Sequence, residues 1–392
     1  MLPSNTHPSP TRRALLAACG TTLLAGCADA LETGMSKPPI ECAPTTPAWP
    51  MYGYDTARTS HVASRDLPSA DTEVGRFSQT GARTGGGGSV EAPPVVTDGV
   101  AYVAGDVRIE ARDIETGRRL WATDLEDGVN TSPAVACGAV YVSTFNETLA
   151  LDPENGDVLW RADGGAHSGV STSPVVGDDT IFVAVGGIAA LDAETGDERW
   201  HAQTEHSVQG VAVADRVYVG AGSNGSGEVA AFTRNGDDWW RTTETGEVYT
   251  APAVAGETVF AVSKTGTLTA LAAADGSVEW QASVESGVTE PPAVDGERVV
   301  VAAGNGTQTI AFDATTGDRL WAFETGVSQG APVIIGDNVL ATGANTGIHV
   351  LDAATGDRVR YWSAENVGSQ PVVAAGRVFY LGWNVSDIFV VE

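Results

Sequence analysis

Short runs of alternating apolar and polar residues, separated by turn signals, make up most of the chain beyond residue 60. Val140-Tyr141-Val142 lies in one such run, and the periodicity of amphipathic helices is nearly absent from the same part of the chain. Alternation with a period of two is typical of strands that have one buried face. The pattern therefore predicts an all-β protein.

A turn string that ends in tryptophan recurs along the chain, and residues 190–200, ALDAETGDERW, form one complete copy. Asp192 can accept hydrogen bonds from backbone amides ahead of it, and Gly196 supplies the positive φ of a hairpin turn followed by a bulge. Burial of Trp200 would anchor the string to a neighbouring unit. Units copied this often must stack, because none can bury its own face alone. The copies end at Trp121, Trp160, Trp200, Trp240, Trp280, Trp321 and, where the tryptophan is lost, Arg360.

A second marker, in most units a proline, precedes each turn string, at steps of 36 to 42 residues. Proline is confined to strand starts, bulges and edges, so these positions are expected to open the first strand of each unit. Four short strands per unit at a period near forty are the signature of a β-propeller. The markers are Pro94, Pro133, Pro174, Gly210, Pro252, Pro292, Pro332 and Pro371.

The two ends of the array are incomplete in complementary ways. The last unit supplies strands at 371–373, 378–381 and 388–391 and lacks a fourth, while an orphan strand at 73–78 precedes the first unit. Pairing the two would remove both exposed sheet edges. Residues 73–392 number 320, which is eight units of 40. The predicted fold is an eight-bladed β-propeller with four antiparallel strands per blade, its last blade closed by the N-terminal strand.

The turn string resembles the tryptophan-docking motif Ala-x-Asp-x-x-Thr-Gly-x-x-x-Trp of the pyrroloquinoline quinone (PQQ)-like propeller repeats. It matches fully at residues 111–121, 190–200 and 311–321, and the resemblance covers residues 49–392. It implies that the tryptophan of each blade wedges against the neighbouring blade. The departures at Ala272 and Arg360 imply weaker docking there, with Trp362 as a candidate substitute for the missing tryptophan.

The family that the chain resembles has two branches. Quinoprotein dehydrogenases hold PQQ between a tryptophan and a disulfide of adjacent cysteines, with a calcium ion on carboxylate and amide oxygens. This chain has no adjacent cysteine pair. The other branch is non-catalytic and includes a lipoprotein of the bacterial β-barrel assembly machinery, a membrane-tethered propeller that binds other proteins.

The function expected from this resemblance is a non-enzymatic binding or scaffold module. It would be monomeric, need no cofactor and bind a protein partner or another surface ligand. A PQQ-dependent oxidoreductase with PQQ and calcium is the alternative, and a sensor of carbohydrate or peptide is the third possibility.

The first 27 residues have the layout of an export signal. Arg12 and Arg13 precede an apolar run at 14–25 that is too short to span a bilayer, and this stretch resembles a twin-arginine signal. Residues 24–27, LAGC, resemble a lipobox in which Cys27 becomes the lipidated first residue. The alternative is a buried N-terminal helix with a chance cysteine. The expected location is the extracellular face of the cytoplasmic membrane.

A Pro- and Thr-rich stretch at 28–48 is predicted to be a flexible tether, and residues 49–72 to be a segment that braces the propeller. The aromatic cluster at 49–55, with Arg58, is expected to pack as a plug or brace; the alternative is an aromatic platform for a ligand. Outside the signal two cysteines remain, Cys42 and Cys137. They either form a disulfide or stay unpaired.

The net charge of −28 argues against nucleic acid and anionic membranes as partners. Lysine occurs only at Lys37 and Lys264, and this acidic, lysine-poor composition resembles that of proteins from extreme halophiles. An ordinary acidic surface tuned for solubility is the alternative.

The residue three positions before each marker is mostly polar and differs from unit to unit within a repeated frame of valines. In a propeller these residues would circle one mouth of the central channel, which is what a binding face would look like. The alternative is hydrogen bonding at the start of each strand. The candidates are Glu91, Asn130, Ser171, Ser207, Tyr249, Thr289, Gln329 and, as a glycine, Gly368.

Other signals are weaker. His201 and His206 are too few for a zinc site and are interpreted as solvated side chains. Five triplets fit the acceptor pattern for N-glycosylation. They begin at Asn130, Asn146, Asn224, Asn305 and Asn384.

Overall fold

The chain forms eight β-sheets of at least four strands each, and every regular element among the described residues is a strand. No helix in the described part of the chain has the length and apolar character needed to cross a membrane. The computed structural model describes residues 50–63, 67–68, 73–78, 92–105, 107–129, 131–164, 172–284, 288, 290–303, 307–327, 330–343, 346–364, 367–382 and 387–391.

Blades 1 to 4 follow one another along the chain, each with its first strand innermost. Their strands are β3 Val95–Thr97, β4 Val100–Gly105, β5 Arg108–Asp113 and β6 Arg119–Asp124; β7 Ala134–Ala136, β8 Ala139–Ser143, β9 Glu147–Leu151 and β10 Val158–Asp163; β11 Val175–Gly177, β12 Thr180–Ala184, β13 Ile188–Asp192 and β14 Glu198–Ala202; and β15 Val208–Val213, β16 Val217–Ser223, β17 Ser226–Phe232 and β18 Asp238–Thr242.

Blades 5 to 8 continue the pattern, with β1 added to blade 7 and β2 to blade 8. Their strands are β19 Ala253–Ala255, β20 Thr258–Val262, β21 Thr267–Ala272 and β22 Val278–Ser283; β23 Ala293–Val294, β24 Arg298–Ala303, β25 Gln308–Asp313 and β26 Arg319–Glu324; β27 Val333–Ile335, β28 Asn338–Gly343, β29 Gly347–Asp352, β30 Arg358–Trp362 and β1 His61–Val62; and β31 Val372–Ala374, β32 Arg377–Leu381, β33 Asp387–Val391 and β2 Glu73–Ser78.

The array closes into a ring as the sequence predicts. Strand β2 pairs antiparallel with β33, and this places Phe77 opposite Ile388 and Gly75 opposite Val390. The innermost strand of blade 8, β31, lies against that of blade 1, β3. The predicted eight-bladed propeller, including its closure by an N-terminal strand, is therefore confirmed.

The recurring tryptophans join each blade to the next. The indole Nε1 of Trp160 donates a hydrogen bond of 3.0 Å to the carbonyl of Ala193, in the turn of the following blade. The ring lies on Gly196 of that turn, where a Cβ atom would come within 2.6 Å of the ring. The same indole-to-carbonyl bond is made by Trp121 to Pro153, Trp200 to Arg234, Trp240 to Ala273, Trp280 to Ala314 and Trp321 to Ala353, at 2.8–3.0 Å.

The two departures from the motif have different consequences. Ala272 lies in the turn on which Trp240 docks, and Trp240 still donates to Ala273 at 2.9 Å, so the docking geometry is unchanged. Arg360 in blade 7 instead donates to the carbonyl of Pro68, in the N-terminal segment. Trp362 is almost fully buried in the core that contains strands of blades 7 and 8. Blade 7 therefore contacts the surrounding structure through Arg360 and Trp362, without a docking tryptophan at position 360.

An N-terminal channel segment, residues 50–62, runs across the central channel. Its carbonyl groups accept hydrogen bonds from amides of the innermost strands, and its end forms β1, which pairs parallel with β27. These bonds tie the segment to blades 2, 4, 5, 6 and 7, so it lies across the axis of the ring. The bonds are Val135 N to Pro50 O, Val213 N to Thr56 O, Val254 N to Ala57 O, Val294 N to Thr59 O and Ile334 N to Ser60 O, at 2.6–3.0 Å.

Cys137 is disulfide-bonded and is therefore not a free thiol. It lies in the turn between the first two strands of blade 2. The disulfide rules out the alternative in which Cys137 stays unpaired, and the other three cysteines, including Cys42, lie outside the described residues.

Candidate functional site

The antiparallel order of each blade separates two faces of the ring. The loop face carries the connections between successive blades and those between second and third strands, such as residues 125–129 and 144–146. The turn face carries the docking turns, such as residues 152–157. On the loop face, the segments that lead into the innermost strands converge at the axis around a cavity of about 200 Å³. This cavity, the axial pocket, is the candidate site.

Six blades, blades 1 to 6, and the channel segment form the axial pocket. Tyr52 and Arg58 belong to the channel segment. Apart from Gly210 and Val211, the blade residues lie one to three positions before the markers. Those with polar side chains are Thr131, Ser132, Thr172, Ser173, Gln209, Tyr249, Thr250 and Glu290.

Arg58 fixes the channel segment beneath the pocket. Its side chain is 2% exposed. Its guanidinium donates from Nε to the carbonyl of Val211 at 3.0 Å, from Nη2 to Ser173 at 2.9 Å and from Nη1 to Tyr52. Burial lowers the pKa of Arg58 to about 10, while the Tyr52 and Asp55 side chains oppose that shift. The group therefore stays protonated at neutral pH and joins blades 3 and 4 to the channel segment.

Tyr52 and Glu290 form the second polar feature. Burial, and then the nearby Glu290 carboxylate, raise the pKa of Tyr52 well above its ordinary value, and the two side chains are hydrogen-bonded. The phenol therefore stays protonated at neutral pH and donates to the carboxylate. Arg58 and Glu290 are thus the two charged residues that line the described pocket.

The threonine hydroxyls in the pocket differ in their partners. Thr131 donates from Oγ1 to the carbonyl of Ser143 at 3.0 Å. Thr172 and Thr250 are 5% and 3% exposed, and neither Oγ1 has a hydrogen-bond partner among the described residues. Buried polar groups are normally paired. The pocket therefore contains two buried hydroxyls with unused hydrogen-bonding capacity.

The structure describes three members of the predicted ring. Tyr249 lines the axial pocket, where its hydroxyl donates to Glu247 at 3.0 Å and the Lys264 ammonium lies 4.3 Å from its ring centroid. Ser207 and Gly368 are not among the pocket residues and make backbone hydrogen bonds to the second strands of their own blades. The remaining candidates lie outside the described residues: Glu91, Asn130, Ser171, Thr289 and Gln329.

Sequence reasoning missed the positions nearest the markers. Thr172, Thr250 and Glu290 lie two residues before their markers, and Gln209 lies one residue before Gly210. A signal was present, since threonine recurs two residues before the marker in three units. A residue repeated at equivalent positions is more often structural, whereas variation within a repeated frame is typical of a binding face.

The other candidate groups lie apart from the pocket. His201 Nε2 lies 2.9 Å from the carbonyl of Val185, and His206 Nδ1 lies 3.3 Å from Ser223 Oγ. Among the described residues, no three His, Cys, Asp or Glu side chains are placed to hold a metal ion. Of the glycosylation triplets, Asn146 and Asn224 are exposed; the other three begin outside the described residues.

The residues around the axial pocket do not match the PQQ-stacking pair that the resemblance implies. No tryptophan and no cysteine lines the pocket among the described residues, where the aromatic side chains are Tyr52 and Tyr249. The docking tryptophans lie on outermost strands and donate their indole N–H groups to turns. The described pocket therefore offers no planar slot of that kind.

The chain is similar in sequence to a known repeat family and to several proteins that contain such repeats. A family model described as "PQQ_2: Outer membrane protein assembly factor BamB" matches residues 62–226 and 225–384. The serine/threonine-protein kinase AfsK of Streptomyces griseus is 34% identical over 151 residues, which cover 34% of this chain and 19% of that protein. Outer membrane protein assembly factor BamB of Burkholderia pseudomallei is 30% identical over 175 residues, which cover 41% of this chain and 44% of that protein.

Quinohemoprotein alcohol dehydrogenase of Comamonas testosteroni is 31% identical over 185 residues, which cover 40% of this chain and 26% of that enzyme. Its solved structure superposes with a TM-score of 0.71 and 17% identity, over 89% of this chain and 81% of that chain. In sequence, the chain thus matches less than half the length of each of these three relatives.

Proposed function

The chain belongs to the PQQ-like repeat family described as outer membrane protein assembly factor BamB, and we propose that it is a non-enzymatic, membrane-anchored binding propeller. It holds a protein partner on its loop face, outside the cytoplasmic membrane. The BamB relative, an assembly factor by its name, supports a role in which the propeller serves as a scaffold.

The observation that carries this proposal is the exposure of apolar side chains on the loop face. Val107 and Phe145 lie in the loops between second and third strands of blades 1 and 2, and Val327 follows the last strand of blade 6. All three are exposed, Phe145 at 45%. Hydrogen bonds from Phe145 N to Gly128 O and from Leu125 N to Val107 O fix the two loops. Aromatic side chains such as Phe145 are enriched in protein interfaces, and this supports the loop face as the contact surface.

Site-specific photo-crosslinking tests the partner surface. A photoreactive phenylalanine analogue at position 145 is expected to give a defined adduct with a second protein in intact cells. Leu320, also 45% exposed but on the outermost strand of blade 6, is the matched control and should give no such adduct. The same adduct from both positions, or none from either, would count against a partner on the loop face.

Anchoring depends on the N-terminal signal. Arg12 and Arg13 would direct export, and Cys27 would carry the lipid as the first residue of the mature protein. Cys27→Ser is expected to release the protein from the membrane fraction, and mass spectrometry of the parent should find a lipidated N-terminus at Cys27. Recovery of an unmodified parent protein that retains Met1 outside the cell would contradict anchoring.

An oxidoreductase is the second candidate, favoured by the 31% identity to the quinohemoprotein enzyme. Titration of the purified protein with PQQ and calcium distinguishes the two functions. A saturable cofactor absorbance band together with dye-linked alcohol oxidation would favour the enzyme. The binding function predicts neither.

A further inference from the structure

On the loop face, the hairpin tip of blade 4 projects into solvent. Asn224 and Gly225 form the two-residue connection between β16 and β17, and Ser223 pairs with Ser226 across it. The φ angles of Asn224 and Gly225 are 55° and 83°. Two positive φ angles in such a connection are typical of a type I′ turn, for which Asn-Gly is favoured. A Cβ atom added at Gly225 would meet no atom beyond its chain neighbours within 4 Å, so the tip stands clear of other loops.

This turn chemistry explains Asn224 and Gly225, but it does not require a hydroxyl at Ser226. Residues 224–226 are all exposed. Neither the Asn224 side-chain amide nor the Ser226 hydroxyl makes a hydrogen bond to another described residue. The three residues together fit the acceptor pattern Asn-x-Ser/Thr for N-glycosylation. Both groups that the pattern specifies are therefore accessible in the folded protein.

The triplet that begins at Asn146 differs in both groups. The Asn146 amide donates from Nδ2 to Asp127 Oδ2 at 2.8 Å. Thr148, which supplies the hydroxyl of that triplet, is 2% exposed, and its Oγ1 lies 3.3 Å from Ser143 Oγ. An enzyme that must contact the asparagine and the hydroxyl together can reach both in residues 224–226. In the folded protein it cannot reach the hydroxyl of Thr148.

We propose that Asn224 is an N-glycosylation site of the folded protein. The site rests on the proposed export, because this modification belongs to the surface of secreted proteins. A glycosyltransferase would supply the sugar from a glycosyl diphosphate. The Asn224 Nδ2 atom forms a bond to the anomeric carbon, and the bond from that carbon to the phosphate oxygen breaks. The diphosphate leaves with the electron pair, and the amide proton passes to a base of the transferase.

A sugar on Asn224 would lie beside the axial pocket. Glu247 Oε1 accepts from Gly225 N at 2.9 Å and from the Tyr249 hydroxyl at 3.0 Å, so the hairpin tip is fixed next to a residue that lines the pocket. Phe145, in contrast, belongs to blade 2. The sugar would therefore cover the loop face at blade 4 and leave the loops of blades 1 and 2 free for the protein partner.

Glycopeptide mass spectrometry of the full chain, purified from the cells that naturally make it, tests the site. The peptide that contains Asn224 should carry a sugar, and the peptide that contains Asn146 should not. Ser226→Ala should abolish the sugar without changing Tm, because the serine hydroxyl makes no hydrogen bond within the described structure. Ser226→Thr keeps the acceptor pattern, so this matched control should retain the sugar.

Three results would overturn the proposal: an unmodified Asn224, a sugar that persists in Ser226→Ala, or a sugar on Asn146 as well. The same spectra report the state of the N-terminus. A lipidated Cys27 together with an unmodified Asn224 would defeat this site and leave the anchored propeller standing. A sugar on Asn224 of a protein without the lipid would support the site and contradict the anchoring.

Discussion

Each docking glycine meets two separate requirements at the scale of a single residue. Gly196 adopts a φ of 78°, in the left-handed region where a side chain is strained. A Cβ atom there would also lie 2.6 Å from Cε3 of Trp160. The turn residue and the tryptophan of the preceding blade are therefore matched, because the ring occupies the space of the missing side chain.

Gly196→Ala should therefore lower the free energy of unfolding by more than backbone strain alone would. We expect a loss of about 2–5 kcal/mol, combining backbone strain with overpacking against the indole. Gly256→Ala is the matched control, since Gly256 has a φ of 59° but no atom within 4 Å of the added Cβ. Its loss should be about 1–2 kcal/mol. Denaturant midpoints measure both losses of stability. Equal losses in the two variants would show that the indole moves aside without an energetic penalty.

The docking turns explain, at the scale of an element, why the motif contains aspartate. Asp313 Oδ1 accepts hydrogen bonds from the amides of Thr315 and Thr316 at 2.9 and 2.8 Å, and Asp352 accepts from Ala354 and Thr355. Bonds from backbone amides lower the pKa of both carboxyl groups. The ionised form is therefore the one that stabilises the turn.

A pH dependence follows from these turns. Because the pKa is lower in the folded state, the stabilisation is fully present above the unfolded value near 3.9 and is lost as pH falls below it. Asp313→Asn/Asp352→Asn keeps an acceptor oxygen but does not titrate. Between pH 5 and pH 3, we expect the Tm of the variant to fall by less than the Tm of the parent. Parallel curves for the two proteins would rule out this contribution.

At the scale of the whole molecule, the feature that defines the fold is the strand pairing that closes the ring. The pairing of β2 with β33 joins residues more than three hundred positions apart, as in Gly75 opposite Val390. Without it, β33 would be an exposed sheet edge, and such edges promote aggregation. Closure therefore serves both stability and solubility.

Replacing Glu73–Ser78 with an alternating Gly-Ser stretch of equal length tests the closure. The variant should lose more than about 5 °C in Tm and should oligomerise through the freed edge of β33. The same replacement at residues 31–36, inside the predicted tether, is the control and should change neither property. Calorimetry and size-exclusion chromatography measure the two effects. An unchanged Tm in the β2 variant would mean that closure contributes little.

The sequence by itself determined the number of blades, their strands, the closure of the ring and the tryptophan string. These features arise from local turn chemistry and alternation that are repeated at a fixed period, so each copy supports the interpretation of the others. Strand β1 was not predicted, because the two residues His61–Val62 have no periodicity and their pairing with β27 depends on the assembled channel.

The tertiary structure alone decided the content of the candidate site. Tyr249 was placed at the channel mouth from its spacing, yet Thr172, Thr250 and Glu290 reach the pocket because of how each segment turns toward the axis. Arg58 became a buried link between two blades and the channel segment only because those carbonyl groups meet there. A repeat pattern fixes which positions are equivalent. Whether the hydroxyl at such a position finds a hydrogen-bond partner depends on its neighbours in space, which the repeat pattern does not specify.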